Sequence, residues 1–100
     1  MVRGKVMSRT DKKFMKLGFK KVHENKYGAS FIRKDEHGFY HKIEIGHKAS
    51  NKHLIHSYQS EINHDGFNNS VGMTVIQAKL ALKKYKELKR KYGWVGAPNA

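Results

Sequence analysis

Cysteine is absent from this chain of 100 residues, which excludes a disulfide framework, thiol catalysis and cysteine-ligated zinc, and fits a reducing compartment. Acids are scarce: 8 Asp and Glu stand against 21 Lys and Arg, for a formal charge of +13. Metal-dependent phosphodiester cleavage needs converging carboxylates, and most of these acids fall in turns or stand apart. Neither an enzyme nor a cofactor is therefore expected. No apolar run approaches the roughly 20 residues that cross a bilayer, and "MVRGKVMSRTDKK" lacks the apolar segment of a secretory signal, so a cytoplasmic protein is expected. Zinc-finger spacing, leucine-zipper heptads, an RRM-type strand and internal repeats are all missing.

What is present is positive charge. Such a balance attracts polyanions, with nucleic acid the first partner to consider, and seven histidines would strengthen that attraction in acid. A hydrophobic content of 38% suits one small domain, expected over 1–94, with a basic arm at 1–9 and a loose tail at 95–100.

"SRTDKKFMKLGF" reads as a short helix, with Thr10 as N-cap, Asp11 at the positive end of the dipole, Gly18 as stop and Phe14, Met15 and Leu17 as the buried side. Period-two patterns follow in "FKKVHE", "ASFIRK", "FYHKIEIGH" and "HLIHSYQSEI", separated by the turn-rich "NKYG", "DEHG" and "KASN". "NHDGFNNSVG" reads as loop. Thr74 and Gln77 form a capping box for a long helix that Gly93 ends, with Trp94 placed for a contact back to Leu88. The expected fold is α+β: a short N-terminal helix, a four-stranded antiparallel meander, and a long C-terminal helix packed on one face of the sheet.

At about 100° per residue, Val75, Ala78, Ala81, Leu82, Tyr85, Leu88 and Tyr92 share one apolar arc of the last helix. Lys79, Lys83, Lys84, Lys86, Arg90 and Lys91 take the other side, with Glu87 among them as the only acid and Ile76 and Leu80 as exposed apolar interruptions. This face is either a solvated surface or a grip on phosphates. The N-terminal region adds Arg9, Lys12, Lys13 and Lys16, so both ends of the chain are basic. Lysine acts as a point charge, whereas arginine's fork reads base edges, so phosphate contact is expected rather than sequence readout, to DNA or RNA alike. Tyr27, Phe31, Phe39, Tyr40 and Tyr58 are either core residues or platforms for unpaired bases.

His53 and His56 form an H-x-x-H, but on a strand positions three apart point to opposite faces. A hairpin turn at Ala49 and Ser50 would set Ile45 opposite Leu54, Ile43 opposite His56 and His41 opposite Tyr58. His41 and His56 then share a face with Tyr58 as candidate metal ligands or proton-transfer groups, with Glu44 on the other parity; the alternative is a set of hydrogen-bonded sheet residues. "ENK" at 24–26 and "INHDGFNN" at 62–69 match nuclease elements only superficially, since neither has the strand context those sites need.

The order "D-x-x-F-x-x-L-G-F-x-K" at 11–21, then "YG" and strands, then "G-M-T" at 72–74 before a helix ending "KYGW", resembles small uncharacterised phage and prophage proteins of Gram-positive bacteria. The resemblance implies helices packed on a meander, residence in a bacterial host's cytoplasm, and binding rather than chemistry. Two functions follow. One is a module that contacts nucleic-acid phosphates through the last helix and the N-terminal arm. The other is a non-enzymatic inhibitor of a host defence nuclease or its guide RNA, in the manner of an anti-CRISPR protein.

Overall fold

The computed structural model describes residues 7–48, 52–61 and 69–95. The turn at Ala49 and Ser50, most of the 63–72 loop, the start of the basic arm and the end of the tail lie outside the described residues. In chain order come α1 (Arg9–Lys16), β1 (Lys20–Asn25), β2 (Gly28–Lys34), β3 (Phe39–His47), β4 (His53–Glu61), β5 (Asn69–Ser70) and α2 (Val75–Tyr92). The strands form one antiparallel sheet in the order β1-β2-β3-β4-β5. The α+β class stands as expected, but the sheet has five strands instead of four. Asn69 and Ser70, read as loop, pair with Gln59 and Tyr58 and protect the edge of β4. Two residues are too few to carry a period-two signal.

Both helices cover one face of the sheet. Phe14 of α1 stacks on Phe31 of β2, with ring centroids 4.1 Å apart, and Leu80, Ala81 and Leu88 of α2 join Ala29, Ile43 and Ile45 in the same core. Among the described residues no helix is long and apolar enough to cross a membrane.

Several local expectations are corrected. Ser8, not Thr10, caps α1: its Oγ accepts from the Asp11 N–H at 3.0 Å, so the helix starts inside the expected arm and Thr10 is buried within it. Met15 turns outward at 51% exposure, while Phe14 is fully buried. In β1 a bulge between Lys21 and His23 sets Lys21 opposite Phe31 and Glu24 opposite Ala29. Both partners are core residues, so Lys21 and Glu24 share the helix side while Val22 is exposed.

The β3–β4 register differs from expectation by one residue. Ile45 pairs with Ile55, Glu44 with His56, Lys42 with Tyr58 and His41 with Gln59. The Lys48 N–H donates to Lys52 O at 2.8 Å, closing a loop one residue longer than a turn centred between Ala49 and Ser50. Side chains alternate along a strand, so this shift moves all of β4 to the opposite face. His41 and His56 are thereby separated. His41 is buried beneath the helices with Nε2 2.7 Å from Ser57 Oγ, whereas His56 lies on the open face with Nδ1 2.6 Å from the Tyr58 hydroxyl.

The capping box of α2 is formed: Thr74 Oγ1 accepts from the Gln77 N–H and Gln77 Oε1 from the Thr74 N–H. Gly93 ends the helix in the left-handed region at φ 64°. Trp94 folds back into the core, donates from Nε1 to Lys26 O at 2.7 Å and stacks on His47. The helix is turned about 80° from the expected orientation, at 100° per residue. Its buried face is Gln77, Leu80, Ala81, Lys84, Tyr85 and Leu88, while Val75 and Leu82 are 70% and 52% exposed. Leu80, expected outside, is in the core, and Ile76 remains exposed. The apolar stripe misled because two of the six buried positions are polar.

Candidate nucleic-acid interface

The rotation of α2 divides its basic residues into two populations. Lys84, expected on the outer face, is 1% exposed. Its Nζ lies 2.8 Å from Asp11 Oδ1, 2.8 Å from Glu24 Oε1 and 2.8 Å from Glu87 Oε1. Lys21 bridges the same Asp11 and Glu24 at 2.8 and 3.1 Å, and Lys91 and the Tyr92 hydroxyl hold the other Glu24 oxygen at 2.8 and 2.9 Å. Three lysines and three carboxylates thus join α1, β1 and α2 where the β1 bulge brings Lys21 and Glu24 under the helices.

Burial alone would raise the Asp11 carboxyl, but Lys21 and Lys84 outweigh it and hold Asp11 below the usual carboxylate range. Glu24 behaves alike: burial opposes, and the contacts of Lys84, Lys91, Tyr92 and Lys21 hold it well below normal. Desolvation would lower Lys84, yet Asp11, Glu24 and Glu87 push it well above its ordinary value. Lys91 is 59% exposed and is raised by its hydrogen bond to Glu24. Lys84 is therefore unavailable to a ligand, and Lys91 is partly committed to Glu24.

The second population faces outward. Lys79, Lys83, Lys86 and Arg90 are all exposed, and their i, i+4, i+7, i+11 spacing keeps them within one narrow stripe opposite the core. Arg9, Lys12, Lys13 and Lys16 are exposed on α1. The two sets converge. Lys13 is pushed below its ordinary value first by the like charge of the neighbouring Lys83, with smaller contributions from Arg9 and Lys16. None of these eight residues is ion-paired to a carboxylate among the described residues.

The other candidate residues are not assembled into one site. Burial, then the charge of Arg33, pushes His41 down, so it stays a neutral hydrogen-bonded sheet residue. Glu24 of "ENK" is held by lysines. Among the described residues no group of three or more His, Asp or Glu could hold a metal ion. Sequence reasoning missed Asp11 and Glu24 as partners of Lys84, because only the bulge and the helix rotation bring them together. No protein-family model matches the chain, and neither does any curated protein or solved structure.

Proposed function

We propose that this chain binds nucleic-acid phosphates, without reading sequence, through the joined outer faces of α1 and α2. The observation that carries this reading is the meeting of Lys13 and Lys83. Residues 70 positions apart in the chain are held close enough for their charges to oppose one another, and among the described residues no acid is paired with either. Folding here has gathered like charge where scattered charge would suffice for solubility, and a polyanion supplies the missing counter-charge. The contrast with Lys84 supports the reading, since three acids surround the buried lysine and, among the described residues, none is paired with the eight outward basic residues.

The test is a binding titration of labelled duplex DNA, single-stranded DNA and structured RNA at 50 and 200 mM salt, using the unmodified chain and a Lys83→Glu/Lys86→Glu/Arg90→Glu variant. Tight binding that weakens steeply with salt is expected, and the variant should reduce the logarithmic salt slope by about 3, roughly 0.9 per lost phosphate contact on duplex. Binding indifferent to the three reversals would make the stripe a solvated face. The search would then pass to a protein partner, such as a host nuclease, whose complex should tolerate salt.

A further inference from the structure

The sheet face turned away from the helices carries a hollow of about 200 Å³. Its origin lies in two adjacent rows of cross-strand partners. In one, Asn25, Gly28, Gly46 and Leu54 stand side by side across β1 to β4, and the central pair has no side chains. The next row is His23, Ser30, Glu44 and His56. Two facing glycines leave the void, and His23, Glu44 and His56 wall it on one side. Tyr27, 62% exposed, and Lys48 stand at its rim.

Gly28 is required by the backbone, since its φ is +147° and a Cβ would strike Ile45 O. Gly46 is not so constrained. A Cβ there would meet only Tyr27 O, at an ordinary 3.7 Å.

The polar groups define what fits. Ser30 Oγ donates to Glu44 Oε2 at 3.3 Å, and Lys42 Nζ lies 3.8 Å from the same oxygen, so among the described residues both contacts fall on Oε2. A carboxylate accepts and does not donate, so it repels a phosphate from the hollow and favours a group presenting N–H donors. The Tyr58 hydroxyl fixes the His56 ring, and the Lys26 ammonium lies over the Tyr27 ring, 5.2 Å from its centroid, so the walls are aromatic and the rim is basic. His23 and His56 are three strands apart, ~14 Å at strand spacing, too far to share one ion.

We propose that this hollow receives one unstacked nucleobase of a single strand and prefers guanine. Guanine alone presents two adjacent donors, N1–H and N2–H, on its Watson–Crick edge, which a carboxylate accepts together; uracil's single N–H lies between two carbonyls that Glu44 repels. The ring stacks on Tyr27 or His56, and the basic rim holds the attached phosphate. The inference rests on the nucleic-acid reading of this chain for its class of ligand, but it uses the sheet face opposite the helices.

The experiment titrates guanosine 5′-monophosphate and uridine 5′-monophosphate into the isotope-labelled chain and follows amide and histidine signals. Guanosine monophosphate should shift Glu44, Gly46 and His56 and bind about tenfold more tightly than uridine monophosphate. Gly46→Val, which fills the hollow with a residue suited to a strand, should abolish these shifts while the rest of the spectrum stays folded. Glu44→Gln, equal in size, should bring the preference close to unity. The proposal is overturned by equal binding of the two nucleotides, by no shift at these residues, or by shifts that survive Gly46→Val. The α2 charge reversals should leave the nucleotide shifts in place, so failure of the helix surface and failure of the hollow are read separately.

Discussion

On the inner side of α2, Lys84 touches three carboxylates at 2.8 Å and is almost wholly buried, whereas Lys83, one residue earlier, stands exposed beside Lys13 with no ion pair to an acid among the described residues. One step of about 100° around the helix separates a structural lysine from a candidate binding one. The same residue type is thus raised in one place and, at Lys13, lowered in the other, because the sign of the neighbouring charge differs. Residue type and position along the chain do not reveal which role a lysine plays. The neighbours supplied by other elements do.

Replacing one of these lysines at a time is the most direct way to break the comparison. Lys84→Ala removes the buried one of the two lysines that Asp11 and Glu24 share, leaving Lys21, and should cost about 3 kcal/mol, the lower end for breaking a buried ion pair and still a large part of the stability of a domain this size. Lys83→Ala should leave the denaturation midpoint essentially unchanged while weakening nucleic-acid binding. Equal effects of the two substitutions on urea midpoints would erase the distinction.

pH separates the two populations less severely. Asp11 and Glu24 titrate below their unfolded values near 3.9 and 4.3, so their contribution is complete above that range and is lost as pH falls through the lower folded values. Lys84 titrates above its unfolded value near 10.4, so its contribution is complete below that and is lost as pH rises through the higher folded value. His41, held neutral by burial, adds a shallower loss as pH falls below about 6.5. Stability measured by urea unfolding should therefore be highest between about pH 7 and 10 and fall on both sides. A midpoint at pH 3 equal to that at pH 7 would deny the buried cluster any stabilising role.

The smallest expected effect sharpens the outer half of the comparison. Lys13→Glu sets a carboxylate beside Lys83, removing a repulsion, so thermal stability should hold or rise slightly. Nucleic-acid binding at low salt should weaken several-fold, and the salt slope should fall by about 0.9. A variant that loses stability would place Lys13 in the structural population instead.

Much of the fold was legible from residue patterns. The turn clusters and period-two runs marked four strands within about two residues of their ends, and the Thr74–Gln77 box and Gly93 marked both limits of α2. These signals are local, since a cap, a turn or an alternation is satisfied by residues a few positions apart. The eight outward basic residues were legible too, because charge without a partner stays at the surface. Less legible was anything that depended on alignment between elements. A one-residue difference in the β3–β4 loop moved His56 beside Glu44 and away from His41, and the bulge at Val22 carried Glu24 beneath α2. Gly28 and Gly46 are 18 residues apart, and only the β2–β3 register makes them face each other and open the hollow.

By itself, then, the amino-acid order determined an α+β chain of strongly positive charge with two basic helices, since composition, capping and periodicity act within a few residues. Tertiary structure alone decided that Lys84 is neutralised in the interior while Lys13 and Lys83 meet at the surface. Long-range packing sets the rotation of a helix and the register of a sheet, and those two choices fix which charges become neighbours.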